Sequence, residues 1–190
     1  HWAFEPVVLK VYAKPYQTGE VMPTELIEKL DKSGKYGQGF ATVEYLAASY
    51  LDMDFHALSG QAADQKVLKF VDQTNQVPAN FDVMDFEKQT LSRRGLLKQI
   101  PSRYRSTYFN HTMGGGYTAG YYSYIWSEVL DCDAYEAFVE TGDIFNQEVA
   151  QKFRQYVLTP GGIDDAMVMY KNFRGKEPGT DPLLKNRGLK

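Results

Sequence analysis

Apolar residues recur three and four positions apart along most of the chain, which is the spacing of one face of an α-helix. The first such segment is VVLKVY at residues 7–12. The sequence shows neither alternating strands and helices nor an internal repeat. We therefore predict a mainly α, multi-helix fold with at most a short strand or hairpin, in which residues 1–190 form a single helical unit.

The same spacing, together with capping and helix-breaking residues, predicts the remaining elements. Thr24 is expected to cap one helix, with Leu26, Ile27 and Leu30 as its buried stripe. The segment SRYRSTYF at 102–109 alternates and is rich in aromatic residues, so it is predicted to be an extended segment leading into the glycines, in which one short strand is possible. The predicted helices cover residues 7–12, 24–33, 40–56, 82–91, 117–140, 146–158 and 164–173, with a further helical segment around Val67, Leu68 and Val71 before Pro78 and a short turn in the tail.

Charge and composition exclude several classes of function. A net charge of −3 gives no general attraction to nucleic acid or to an anionic membrane, so neither is expected as a partner. No apolar run is long enough to cross a bilayer. The single cysteine, Cys132, excludes an internal disulfide and favours a cytoplasmic location, leaving a periplasmic or exported one open. The opening HWAFEP has no initiator Met and no secretory signal, so we expect a cut or processed start.

The segment HTMGGGYTAGYYSYIW at 111–126 combines three consecutive glycines with a group of tyrosines. Glycines permit a bendable loop, and Tyr117, Tyr121 and Tyr124 would share one stripe of a helix. Such a stripe either packs in the core or faces a ligand, and the spacing leaves both open. The segment also fits G-x-G-x-x-A, but the preceding SRYRSTYF contains two arginines and is not the buried strand that a dinucleotide site needs.

Basic residues are concentrated just before this loop. No acidic residue lies between Glu87 and Glu128. These side chains form either a solvated face or a site for an anionic group such as a peptide carboxylate, which arginine binds with two hydrogen bonds. The basic residues in this window are Lys88, Arg93, Arg94, Lys98, Arg103 and Arg105.

No metal site is predicted from the residues. His1, His56 and His111 are far apart in sequence, and none stands in H-E-x-x-H. The acidic run DCDAYE at 131–136 lacks the glycine of a calcium loop. Cys132 has no neighbouring base in sequence and is expected to be a small buried apolar residue.

Four segments together resemble the family of zinc metallopeptidases that contains peptidyl-dipeptidase Dcp, oligopeptidase A and thimet oligopeptidase (family M3). They are RYRSTYFNHTMGGGYTAGYYSYIWSEVLD at 103–131, the tail YKNFRGKEPGTDPLLKNRGL, the opening HWAFEP, and GFATVEYLAASYLDMDFH at 39–56. The forms GGGY and RYRSTYF look most like the peptidyl-dipeptidases, which release dipeptides from the C-termini of oligopeptides. The resemblance implies the C-terminal portion of a larger, zincin-like helical catalytic domain.

The resemblance also implies roles for residues of the loop. Tyr124 matches the tyrosine that donates to the tetrahedral oxyanion, and Tyr117 is expected to act with it. His111, Tyr121 and Arg105 are expected to bind substrate. The glycines Gly114, Gly115 and Gly116 are expected to let the loop fold onto a bound peptide.

In this family zinc is held by an H-E-x-x-H motif and a downstream glutamate, none of which this chain contains. We therefore expect zinc only in an intact parent, bound by an N-terminal half that would be the partner of this chain. The chain alone is expected to hold no metal, to hydrolyse nothing and to expose an apolar surface. The alternative is a non-catalytic helical binding or assembly module derived from the same fold, and the upstream coding sequence separates the two.

Overall fold

The computed structural model describes residues 1–58 and 80–190, and within these residues it is helical with no β-strand. The mainly α prediction is thereby confirmed. The helix predicted around Val67, Leu68 and Val71 lies outside the described residues. No described helix is long and apolar enough to traverse a lipid bilayer. The α-helices are α1 (Pro6–Tyr12), α2 (Thr24–Lys35), α3 (Gln38–His56), α4 (Val83–Arg93), α5 (Asn110–Met113), α6 (Ser123–Val139), α7 (Gln147–Phe153), α8 (Ala166–Arg174) and α9 (Asp181–Asn186).

The chain divides into two compact units. The terminal unit consists of His1–Gln38 and Trp126–Lys190, and the central unit consists of Gly39–Ile125. The terminal unit also contains a 3₁₀ helix at Trp2–Phe4 and a π-helical segment at Arg154–Leu158. That residues 1–190 act as one unit of a larger catalytic domain stays a prediction.

The core of the terminal unit is built around α6. The indole of Trp2 packs edge-on against the rings of Tyr135 and Phe138, and its N–H donates to the carbonyl of Ile144 at 2.7 Å. This contact fixes the start of the chain on α6. The buried apolar residues of the unit are Leu9, Ile27, Val129, Cys132, Tyr135, Phe138, Tyr170, Phe173 and Leu183.

A buried carboxylate lies in the same unit. Asp133 is 2% exposed, and it accepts hydrogen bonds from the Tyr170 hydroxyl at 2.5 Å and from Arg174 Nε at 3.1 Å. Arg174 also binds both carboxylate oxygens of Glu140 at 2.7 Å each. Hydrogen bonding to Glu140 raises the pKa of Arg174, and burial together with Asp133 raises the pKa of Tyr170. The network therefore joins α6 to α8 with its charges compensated.

The central unit has its own core around α3. Ala47, Ala48 and Leu51 of α3 are buried against the aromatic rings and leucine of other segments of the unit. Phe40 and Val43, near the start of the same helix, are 56% and 48% exposed and take no part in this core. The residues of other segments in this core are Phe86, Leu91, Phe109 and Tyr121.

The predicted cap and stripe of α2 are wrong in part. Thr24 is the first helical residue after Pro23, and no side chain caps this helix end. Ile27 is buried, whereas Leu26 and Leu30 are 45% and 48% exposed. Helix α8 begins at Ala166 and not at the predicted residue 164, and the Asp165 carboxylate caps it by accepting from the N–H groups of Met167 and Val168.

The segment at 102–109, predicted to be extended, contains a 3₁₀ helix at Ser106–Tyr108, and the short strand that its pattern allowed does not form there. The buried carboxylate of Glu87 accepts from the Ser106 backbone N–H at 2.7 Å and from its hydroxyl at 2.8 Å. The ring of Tyr104 stacks on that of Phe109 at 4.9 Å. The Glu87 carboxylate therefore supplies the hydrogen-bond acceptor for the Ser106 backbone N–H that a neighbouring strand would otherwise supply. Aromatic stacking also holds the segment in place.

Replacing Asp133 by Asn should destabilise the terminal unit by about 2 to 3 kcal/mol, because Arg174 and Tyr170 would lose a buried anionic acceptor. The unit contains both tryptophans, Trp2 and Trp126, so urea unfolding followed by tryptophan fluorescence reports on it. Asp131→Asn is the matched control on the same helix, because that side chain is 64% exposed, and it should change stability by less than about 0.5 kcal/mol. Equal losses in the two variants would contradict a stabilising role of the buried network.

Candidate functional site

The tyrosines of the sequence motif meet through a turn and not along one helix. Helix α6 begins only at Ser123, so Tyr117 and Tyr121 precede it. Ala119 has a φ of 51°, in the left-handed region, which interrupts any helix across the motif. The predicted helical stripe is therefore wrong, although the three rings do come together.

His111 joins these rings, and we call His111, Tyr117, Tyr121 and Tyr124 the aromatic cluster. The imidazole stacks on the Tyr117 ring at 4.6 Å, and Tyr117 stacks on Tyr124 at 5.2 Å. Tyr121 meets the imidazole edge-on at 5.4 Å. The sequence thus identified residues that contact one another in the central unit.

Exposure divides the aromatic cluster into two parts. Tyr117 and Tyr124 are 37% and 43% exposed, and His111 is also exposed. Tyr121 is only 5% exposed, and its ring packs on Tyr45, Tyr104 and Phe109. In this arrangement Tyr121 packs in the core of the central unit, and its binding of substrate stays a prediction.

The glycine loop (Gly114, Gly115 and Gly116) lies between α5 and the turn at residues 118–122, which we call the tyrosine turn. Steric contacts and backbone angles explain why this loop consists of glycines. A Cβ on Gly115 would lie 2.7 Å from the carbonyl oxygen of His111, a contact that fixed backbone cannot relieve. Gly116 has a φ of 83°, which side-chain-bearing residues rarely adopt. The hydroxyl of Thr118 donates to the carbonyl of Thr112 at 2.8 Å and so closes the loop at its base. The loop therefore returns Tyr117 onto His111.

Asp52 and Tyr45 of α3 form hydrogen bonds that hold the tyrosine turn, and neither residue was among the site residues predicted from the sequence. Asp52 is fully buried, and its carboxylate accepts from the Ala119 N–H at 3.0 Å and the Tyr121 N–H at 2.9 Å. The Tyr45 hydroxyl donates to the Tyr121 carbonyl and accepts from the Ile125 N–H at 3.3 Å. An acidic residue four positions after buried Ala48 was the available signal, because it places a charge on the apolar face of α3.

The chemistry of the exposed part is that of a neutral phenol beside an imidazole. His111 Nε2 lies 2.8 Å from the Tyr124 hydroxyl. Hydrogen bonding to the Tyr117 hydroxyl, together with desolvation, raises the pKa of Tyr124 to about 12. Burial and the Tyr104 hydroxyl likewise raise the pKa of Tyr121 to about 12. Tyr124 thus keeps its proton at neutral pH and can donate a hydrogen bond when His111 carries its own proton on Nε2.

The basic segment before the loop is largely compensated by acidic residues of α3 and α4. Arg105 Nε lies 3.0 Å from Glu87, and Arg103 lies 3.8 Å from Glu44. Arg93 and Arg94 both bind Asp54. The Arg105 side chain is still 43% exposed, so the ion pair with Glu87 does not bury it.

One set of possible metal-ligand atoms occurs in the described residues, and it lies in the terminal unit. His1, Asp131 and Cys132 place one such atom each within 4.8 Å of one another. His1 Nε2 and Asp131 Oδ2 are 3.0 Å apart, as in an ordinary ion pair. Burial raises the pKa of the Cys132 thiol to about 11, so the sulfur is protonated at neutral pH. The absence of a metal from this chain stays a prediction.

Known proteins resemble the chain over its whole length. It is 40% identical to a dipeptidyl carboxypeptidase of Salmonella typhimurium and equally to one of Escherichia coli, each over 190 residues. It is 33% identical to an oligopeptidase A of Salmonella typhimurium over 193 residues. In each case the match covers 100% of this chain and 25% of the relative, so the chain spans about a quarter of the length of these relatives.

The model of peptidase family M3 matches residues 1–189, and this match agrees with the resemblance of the loop and the tail. The chain therefore belongs to peptidase family M3.

Proposed function

We propose that this chain supplies the substrate-binding and oxyanion-stabilising part of a zinc peptidase that releases dipeptides from the C-termini of oligopeptides. The observation that carries the proposal is the pairing of an exposed, protonated phenol with an imidazole at the end of a glycine loop. The relatives named dipeptidyl carboxypeptidase support this specificity.

Tyr124 is the proposed donor to the oxyanion that develops when the peptide carbonyl is attacked. Tyr124 is 43% exposed and its hydroxyl lies next to His111, so we propose that a substrate carbonyl approaches it there. A preorganised donor of this kind acts mainly on the transition state, where the negative charge is largest. His111 orients the phenol and contacts the peptide.

Tyr117 is proposed to act with Tyr124 on the same carbonyl. The two rings stack, and the glycine loop sets the position of Tyr117. Arg105 is a candidate for binding the free carboxylate of the substrate, because its side chain is 43% exposed while Glu87 binds its Nε.

The residues around the aromatic cluster do not fit a zinc site. In the described part of the chain, the only grouped ligand types are those of His1, Asp131 and Cys132, which belong to the other unit. We therefore propose that residues outside this chain hold the zinc, which would supply polarisation of water. Every step assigned to this chain is binding, orientation or hydrogen bonding.

Exposed apolar side chains support a partner for this chain. Phe4, Val11, Phe40 and Leu97 are all more than half exposed, at 78%, 70%, 56% and 63%. We propose that an N-terminal half of the same protein, carrying the H-E-x-x-H motif, covers some of these side chains. The alternative is a non-catalytic binding or assembly module, and it requires an upstream coding sequence without that motif.

Tyr124→Phe in the peptidase expressed from its complete gene should lower kcat by about 10² to 10³ and change KM much less. Steady-state hydrolysis of an N-terminally blocked peptide measures both constants. Tyr122→Phe is the matched control. It also removes one phenol hydroxyl, but from an exposed side chain that lies two residues before Tyr124 and outside the aromatic cluster. An unchanged kcat in Tyr124→Phe would remove the oxyanion role.

Tyr124 should ionise at about pH 12, above the ordinary value of about 10, so its donor proton persists through the neutral range. The folded state holds this proton more tightly than the unfolded state. The contribution of the protonated Tyr124 to the stability of the folded state is therefore complete below about pH 10 and is lost as pH rises through about 12. NMR of ¹³Cζ-labelled tyrosine, assigned with Tyr124→Phe, measures the value. Ionisation at pH 10 would contradict the shift.

The purified 190-residue chain should bind no stoichiometric zinc and should release no dipeptide from a blocked peptide, because its sequence has no H-E-x-x-H motif and the ligand atoms grouped in its described residues include a protonated thiol. Elemental analysis and mass spectrometry of the products measure both. One tightly bound zinc per chain together with hydrolysis would show that the division of labour is wrong. The peptidase from the complete gene is the positive control.

A further inference from the structure

We propose that Asp52 is a positioning residue, whose buried carboxylate fixes the tyrosine turn and thereby sets the place of the Tyr124 hydroxyl. The structural part of this inference stands on the described contacts, and its catalytic consequence rests on the proposed function. Asp52 is 0% exposed and therefore cannot touch a substrate itself.

The tyrosine turn binds this carboxylate as a small anion site. Ala119 has a φ of 51°, and the N–H groups of Ala119 and Tyr121 converge on the two oxygens of Asp52, at 3.0 and 2.9 Å. Successive N–H groups around a left-handed residue form a concavity that favours an anion. The carboxylate fills this concavity and stabilises a backbone conformation that alanine otherwise disfavours.

His56 is the other group that faces the carboxylate. Its Nδ1 lies 2.9 Å from Asp52 Oδ1 and 2.8 Å from the Asp52 carbonyl. The imidazole belongs to the same helix, one turn later, so it orients the carboxylate without contacting the turn. The contacts of Asp52 outside α3 are thus directed at the backbone of the tyrosine turn.

Tyr45 extends this hold to the first turn of α6. It lies seven residues before Asp52 and therefore on the same face of α3. Its hydroxyl bridges the Tyr121 carbonyl and the Ile125 N–H. Tyr124 lies between these two anchored residues, so its backbone is held on both sides from one helix.

A fixed backbone matters here because a displacement of about 1 Å at a reacting group can cost about 10²-fold in rate. Asp52→Asn keeps the size of the side chain but replaces one acceptor by an N–H₂ group, which would oppose a backbone N–H. We expect kcat to fall at least about tenfold with KM changed less than about threefold, since the phenol shifts while the remaining binding contacts stay.

Asp54→Asn is the matched control. Asp54 lies on the same helix, is 7% exposed, and binds Arg93 and Arg94 instead of the turn. Both substitutions remove a buried charge and should lower the unfolding midpoint, but only Asp52→Asn should lower kcat in the folded peptidase. A loss of kcat that is equal in the two variants would reduce Asp52 to a purely structural residue.

A double-mutant cycle tests whether Asp52 acts through Tyr124. In the Tyr124→Phe background, Asp52→Asn should lower kcat by less than about twofold, because the phenol that it positions is gone. Additive losses, or an unchanged kcat in Asp52→Asn alone, would overturn the proposal. If Asp52→Asn does not fold, Asp52→Glu displaces the carboxylate by one methylene, and an unchanged kcat in that variant overturns it equally.

Amide hydrogen exchange separates this inference from the proposed function. The N–H groups of Ala119 and Tyr121 should exchange at least about tenfold faster in Asp52→Asn and stay protected in Asp54→Asn. If Tyr124→Phe leaves kcat unchanged, the oxyanion role fails, while these exchange rates still decide whether Asp52 holds the turn. Unchanged exchange at both amides would overturn the positioning role.

Discussion

The carboxylate of Asp52 is the constraint on which the central unit depends. A fully buried charge is stable only when hydrogen-bond donors surround it, and here the main donors are backbone N–H groups of the tyrosine turn. Neither side is stable without the other, because the turn contains a left-handed alanine that needs an anion. The position of the tyrosines therefore depends on the contact between Asp52 of α3 and the tyrosine turn.

Buried acids act in the same way elsewhere in the chain. Glu87 binds the N–H and hydroxyl of Ser106 and so fixes the segment before the loop, and Asp133 joins α6 to α8. In an all-helical region the irregular segments have N–H groups without helical partners, and carboxylates supply the acceptors. These hydrogen bonds give the irregular segments a defined backbone conformation, and the exposed tyrosine and histidine side chains next to them are positioned by it.

The sequence predicted the helices well because helical periodicity is a local property, and α1, α3, α4 and α7 lie where it placed them. It also named residues of the aromatic cluster that contact one another. It missed the turn, since the positive φ of Ala119 comes from a contact with Asp52, 67 residues away. It predicted an extended segment at 102–109, because aromatic residues favour strands. The 3₁₀ helix found there depends on Glu87, a residue distant in sequence that accepts from the Ser106 N–H.

The glycine loop shows how rigidity and movement can be combined near one site. Gly115 and Gly116 are required by contact and by φ, so the loop has a defined conformation and is not merely loose chain. The hydrogen bond from Thr118 to Thr112 joins its two ends. A rearrangement of the residues between these threonines would move Tyr117 without moving α5 or the turn held by Asp52. Tyr124 is thus anchored through α3, whereas Tyr117 is carried by glycines, and under the proposed function they would offer one fixed and one adjustable hydroxyl to the same substrate carbonyl.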